Sequence, residues 1–264
     1  MKEISLDERK QLQLELLVDI DRICRERGLR YYLTAGTLLG AVRHKGYIPW
    51  DDDIDIAMPR DDYEAFYSYV SNGNLGESFK LISYRDKSSI YPFFKIVNPF
   101  TTVVEHYVDR RFCTGVWVDI FPLDGIRHGD RKPIVWNKII ANLYGFVVAD
   151  PSQGTSAFRR AIKRFFNPLF RHIDIYRLAE ALDKKAMSTA ISRDNEVALI
   201  VWGYGECEIM PYNFLEQTSL EFEGHFFSAP KIYKKYLTSI FGDYMQLPPE
   251  KDRKPHYCSA YWNE

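Results

Sequence analysis

The sequence predicts an α/β (α+β) fold with a mixed sheet, and three observations carry that prediction. Residues 5–124 run helix, strand, helix, strand, helix and then several strands, which is not a regular βαβ repeat. Residues 130–200 are mostly helical in pattern, and the remainder is mixed, with a polar, proline-rich end, LPPEKDRKPHY. The 264 residues are 46% hydrophobic, enough for one large core or one core with a smaller lobe. The expectation is a single unit, with residues 1–125 as a core lobe and 126–264 as a helical and mixed second lobe. The boundary near 125 is soft, since no flexible linker marks it.

The first element is a helix over residues 5–28. Ser5 and Glu8 form an S-x-x-E capping box, and Leu12, Leu16, Leu17, Ile20, Ile23 and Cys24 recur at helical spacing. Gly28 is placed to end the helix. RYYLTAG (30–36) reads as a short strand ending in a glycine turn, and TLLGAVRHKG (37–46) as a short helix with Thr37 near its start. DIDIAM (53–58) alternates acid and apolar side chains, the period of a strand. RDDYEAFYSYVSNG (60–73) is helical and closes on Asn-Gly. FKLIS, PFFKIVN, TTVVEHYV and TGVWVDIFPLD then follow as strands to about residue 124.

The stretch IPWDDDIDIAMP (48–59) sets Asp51, Asp52, Asp53 and Asp55 among Ile, Trp and Met, although burying unpaired carboxylates is expensive. On a strand, Asp53 and Asp55 share one face while Ile54 and Ile56 take the other. Two carboxylates about 4 Å apart repel by roughly 4 kcal/mol at an effective dielectric near 20. A cation therefore belongs between them, or one holds a proton. Magnesium, with manganese as a substitute, takes one or two carboxylates plus substrate phosphates. The alternative is an exposed edge strand with solvated acids. An EF-hand loop opening at Asp51 would need Gly and Glu where Ile56 and Asp62 stand. A DxD of the glycosyltransferase kind stays open.

Just upstream, AGTLLGAVRHKG ends a strand with Gly36 and begins a helix at Thr37, a setting in which backbone N–H groups can face phosphate. Arg43, His44 and Lys45 follow as a basic cluster. A phosphate loop, a basic cluster and a two-acid strand within about twenty residues are the parts of metal-assisted phosphoryl transfer.

YLTAGTLLGAVRHKGYIPWDDDIDIAMPRDDYEAF resembles the signature of the LicD family, phosphotransferases with a nucleotidyltransferase-like fold. The resemblance continues through PFFKIVNPFTT, VWVDIFPLDGI and FEGHFFSAPKIYKKYLTSIFGDYMQLPPEKDR, and is weakest between about 130 and 195. It implies transfer of phosphorylcholine from CDP-choline to a sugar hydroxyl of a surface glycan, teichoic acid or lipopolysaccharide, with release of CMP. More distant relatives of the fukutin-related type transfer ribitol phosphate. By the resemblance, Gly36 and Thr37 are the glycine and small hydroxyl residue of the nucleotide loop, and Asp53 and Asp55 are the paired metal-binding acids. Asp119 in GVWVDIF is the candidate third acid. Read by itself, Asp119 is a lone carboxylate in an apolar run that needs a partner, and a salt bridge to an arginine would serve.

Lys95 in YPFFKIVN could hold a phosphate as a point charge or sit on the solvent face of a half-buried strand. The resemblance favours the phosphate role. Arg43 could clamp phosphate bidentately, while His44 and Lys45 could simply solvate the helix end. Asp51 is expected to orient its neighbours beside the metal and substrate. If choline is the cargo, its trimethylammonium should meet aromatic faces; Trp50, Tyr91, Phe94 and Trp117 flank the site residues, with no subset favoured. Arg253 is left unassigned. AFRRAIKRFFNPLFRHI (157–173) is basic and amphipathic, a pattern more often that of a core helix with solvated arginines but also suited to docking on the inner leaflet of a membrane.

A net charge of −1 argues against nucleic-acid binding through a broadly basic surface. No secretory h-region or membrane-length apolar run is visible, and Cys24, Cys113, Cys207 and Cys258 form no CxxC pair. A cytoplasmic enzyme with reduced thiols is the expectation, acting on a lipid-linked glycan acceptor. Asp53, Asp55 and Asp119 would hold metal, and Asp119 could also orient or deprotonate the acceptor hydroxyl. The rivals are nucleotidyl transfer, another CDP-linked phosphoalditol, a DxD glycosyltransferase, and a non-catalytic binder on the same scaffold.

Overall fold

In the computed structural model, described over residues 2–105, 108, 112–148, 172–253 and 258–263, both chain ends meet in a small antiparallel sheet. Its strands are β1 (Glu3–Ile4), the last strand β12 (Cys258–Trp262) and β6 (Thr101–Glu105), in the order β1-β12-β6. Helix α1 (Leu6–Arg27) follows β1. The Ser5 hydroxyl accepts from the Glu8 amide, the Glu8 carboxylate accepts from the Ser5 amide, and Gly28 closes the helix at φ 65°. Its apolar stripe, Leu16, Leu17, Ile20 and Ile23, is at most 1% exposed.

The main sheet holds β2 (Tyr32–Leu33), β3 (Asp55–Pro59), β4 (Lys80–Ile82), β5 (Phe94–Val97) and β7 (Trp117–Ile126), in the spatial order β2-β3-β7-β5-β4. β8 (Glu196–Ala198) adds to the far end of β7, and β9 (Met210–Pro211) adds to β8. β3 and β7 run parallel, and the other pairings among the described strands are antiparallel. All ten residues of β7 are buried, as expected of a central strand covered on both faces. That burial explains the near-continuous apolar run around Asp119.

Helix α2 (Ala35–His44) fills the connection between β2 and β3, and α3 (Arg60–Ser71) leaves β3 directly. α4 (Lys132–Val148) and α5 (Ile175–Ala186) pack against each other, and α6 (Tyr233–Phe241) follows a hairpin. That hairpin pairs β10 (Gln217–Phe222) with β11 (His225–Pro230), and its turn places Glu223 and Gly224 at φ 49° and 75°, the signature of a primed turn. Arg60 fastens α3 to its surroundings with bonds of 2.7–2.8 Å to Asp124 on β7 and Asp183 on α5. The architecture is α+β, with six helices and a curled mixed sheet among the described residues.

Two boundaries differ from the expectation in ways that bear on the site. α2 starts at Ala35 and not at Thr37, so Gly36 lies in its first turn and not ahead of it. β3 starts at Asp55, so Asp53 lies in the approach to the strand. The basic amphipathic segment lies, up to residue 171, outside the described residues. Among the described residues no helix is long and apolar enough to cross a membrane.

Candidate active site

The parallel pairing of β3 with β7 sets Asp55 directly beside Asp119 in register. On the other side of β7, Lys95 of β5 stands opposite Asp119. Three charged residues from distant parts of the chain thus occupy one row across the sheet. The Lys95 Nζ is 2.8 Å from Asp119 Oδ1, a buried ion pair. The Trp117 indole donates to Asp119 Oδ2 at 3.0 Å. Lys95 is 2% exposed, so it does not face solvent, and the partner of Asp119 is a lysine and not an arginine.

Burial raises the Asp119 carboxyl, partly offset by the Lys95 charge. Asp55 is pushed well above the usual carboxylate range by burial first and then by the charges of Asp53 and Asp119. Carboxylates that raise one another by their charge suit a hard divalent cation with oxygen ligands. The donor set therefore fits magnesium or manganese. Among the described residues, the three carboxylates whose oxygens lie within 4.8 Å of one another are those of Asp51, Asp52 and Asp53, so Asp53 links this cluster to the row on the sheet. Asp52, 3% exposed, is ion-paired to Arg9, whose guanidinium also donates to the Cys258 sulfur, so it is already neutralised on the far side.

Two cavities share Asp53, Asp55 and Tyr204 as walls. The smaller, about 480 Å³, contains Lys95, Asp119, Trp117, Tyr91, Glu105 and Trp202 in its lining. The larger, about 800 Å³, is lined by Gly36, Arg43, Trp50, Asp51 and Arg253 among others. Burial and the Arg253 charge lower Arg43, so two guanidiniums lie close enough to repel, and an anion between them would relieve both. Arg253 also sits over the Trp50 ring at 5.3 Å.

The other expected residues divide between cavity and scaffold. Thr37 is buried and its hydroxyl accepts from the Asp55 amide at 2.9 Å, holding the start of β3. His44 accepts from Arg43 at 2.9 Å and so orients it. Lys45 caps α2 at φ 56° and pairs with Glu221, outside the lining of both cavities. Of the aromatic candidates, the Tyr91 and Trp117 rings lie against the Lys95 ammonium at 4.2 Å each. Trp50 lines the larger cavity, and Phe94 is packed against Tyr63 and Phe66 in the core.

Gly36 shows why a glycine stands in the first turn of α2. A Cβ there would lie 2.6 Å from Asp51 Oδ2, the movable end of a side chain. Alanine is also a better helix former by about 1 kcal/mol. Gly36→Ala is therefore expected to leave the melting temperature within about 3 °C while displacing Asp51 and cutting turnover about tenfold. Calorimetry beside a rate measurement checks this; equal losses in both would mean the glycine serves only the fold.

Sequence reasoning passed over Glu105, Trp202, Tyr204 and Glu208, all of which line the smaller cavity. The alternation Trp202-Gly203-Tyr204-Gly205 is a turn signal that marks aromatic side chains on a loop. Nothing in the residue pattern aims that loop at the acids.

Residues 28–122 match the family described as LicD/FKTN/FKRP, nucleotidyltransferase domain. The chain is 28% identical over 262 residues to the lipopolysaccharide cholinephosphotransferase LicD of Haemophilus influenzae, covering 97% of each. It is 36% identical over 88 residues to the uncharacterized protein RT0683 of Rickettsia typhi, covering 33% of this chain and 26% of that one. A stretch of 35 residues is 51% identical to the human ribitol 5-phosphate transferase FKRP, 13% of this chain and 7% of that one.

Proposed function

We propose that this chain, whose residues 28–122 match the LicD/FKTN/FKRP nucleotidyltransferase domain, transfers phosphorylcholine from CDP-choline to a sugar hydroxyl of a lipopolysaccharide or related glycan precursor, releasing CMP. The reading rests on one observation above the rest: the row Asp55, Asp119, Lys95 across the sheet, open to a cavity with a guanidinium-lined neighbour. Asp53, Asp55 and Asp119 are the residues that would hold a divalent cation, which when bound neutralises the acids and polarises phosphoryl oxygens. Arg43 and Arg253 bind the diphosphate of the donor in the larger cavity, with Trp50 as a flat neighbour for the nucleotide. Lys95, held by its aromatic neighbours and by Asp119, offers a fixed positive charge to the phosphoryl group in transit. Trp202 and Glu105 in the smaller cavity suit a trimethylammonium cation. Asp119 accepts the proton of the attacking hydroxyl.

The test is a panel of CDP conjugates, CDP-choline and CDP-ribitol included, incubated with magnesium and a glycan acceptor while CMP is measured. CMP from CDP-choline, abolished by chelator, is the expected result. Pyrophosphate in place of CMP would reassign the enzyme to nucleotidyl transfer, and full turnover in chelator would remove the metal role. Arg253→Ala is expected to raise KM for the donor about tenfold with kcat little changed, since the contact serves ground state and transition state alike. A fall in kcat at constant KM would move Arg253 from binding to chemistry.

A further inference from the structure

Glu208 ends the short 3-10 turn Glu206–Glu208, is 2% exposed, and lines the smaller cavity. Its two oxygens reach two different segments. One accepts from the Tyr204 amide, on the turn that carries Trp202 and Tyr204, and lies so near Gly203 that a Cβ there would be 2.1 Å away. The other accepts from the Tyr236 hydroxyl of α6 at 2.9 Å. Tyr236, itself fully buried, is 2.6 Å from the Thr34 hydroxyl at the N-cap of α2, and the Ala35 backbone N–H interacts with the same phenol oxygen.

Ala35 is the strained point of this chain of contacts. Its φ is 45°, a left-handed conformation that is costly for a residue with a Cβ and persists only where neighbours hold it. Thr34 and Ala35 both line the smaller cavity, and the Thr34 amide donates to the Asp55 carbonyl at 3.2 Å. We propose that Glu208 is a positioning residue for the active site: through Tyr236 it holds the strained Thr34–Ala35 turn beside Asp55, and directly it holds the Trp202–Gly205 turn, which also lines the cavity. The assignment rests on the transferase reading only for its effect on rate.

The carboxylate form performs this task because both its oxygens accept. Protonation turns one of them into a donor, so that either the Tyr204 amide loses its acceptor or the Tyr236–Thr34 hydrogen bonds reverse direction. Burial pushes the Glu208 carboxyl up to about 7 against those hydrogen bonds. The titratable groups facing it are Tyr236 on α6, Tyr204 on the Trp202–Gly205 turn and Cys207 on its own turn; burial raises all three, so they stay uncharged at neutral pH.

The experiment compares wild type, Glu208→Gln and Tyr236→Phe by amide hydrogen exchange without substrate, and by CMP release from pH 6 to 8. Faster exchange at residues 202–205 and 34–36 in Glu208→Gln, and at 34–36 alone in Tyr236→Phe, is expected. CMP release in Glu208→Gln should fall about 10- to 100-fold and lose the acidic limb near pH 7 that wild type shows. Unchanged exchange at 34–36 in both variants, or an acidic limb that survives in Glu208→Gln, overturns the proposal. If wild type releases no CMP from any conjugate, the transferase reading fails while the exchange result still decides the role of Glu208.

Discussion

Asp55→Asn is expected to lower CMP release from CDP-choline by about 10²- to 10³-fold, the loss typical of removing one preorganised electrostatic group from a transition state. The same substitution should not weaken the fold. In the metal-free protein the Asp55 carboxyl is raised by burial and by neighbouring acids, so the folded state binds its proton more tightly than the unfolded chain does. By linkage its stabilising contribution is greatest below the unfolded pKa and is lost as pH rises through the folded one. At neutral pH the charged side chain is therefore a burden on the chelator-treated protein, and asparagine removes it. Melting curves in chelator should show Asp55→Asn at or above wild type at pH 7.5, with the difference closing toward pH 5. A variant that both melts early and loses turnover would place Asp55 in the scaffold and not in the chemistry.

Lys95→Met has the opposite profile. Methionine keeps much of the volume but removes the ammonium, leaving Asp119 buried beside Asp55 with only the Trp117 indole as a donor. Breaking a buried pair by deleting one partner costs about 3–5 kcal/mol, or on the order of 10 °C in melting temperature for a chain of this size. Turnover should be lost as well. The double variant Lys95→Met with Asp119→Asn removes the stranded charge, so it should recover most of the stability and none of the activity. A double-mutant cycle by thermal melting measures this. Additive losses would mean that Lys95 and Asp119 do not depend on each other, and the row across the sheet would lose its meaning.

Much of the local structure was legible from residue order. The capping box at Ser5 and Glu8, the stop at Gly28 and the apolar spacing of α1 depend on neighbours within one helix, and the structure follows them. Asp53 and Asp55 were readable as unusual because charge in an apolar run is costly wherever the run ends up. The start of α2 was placed two residues late, since helix entry at Ala35 requires a positive φ that local preference disfavours. Its holder, Tyr236, lies some two hundred residues away.

The residue pattern by itself determined that this chain is an α+β protein with an acidic strand following a glycine-marked helix start. Those signals rest on side-chain periodicity and backbone preference, which act over a few residues. Only the tertiary structure decided what each charge faces. The parallel register of β3 on β7 puts Asp119 beside Asp55, Lys95 turns inward against the Tyr91 and Trp117 rings instead of outward to water, and Arg9 on α1 neutralises Asp52. Pairing a buried charge depends on distance in space, and distance in space is set by the packing of the whole chain.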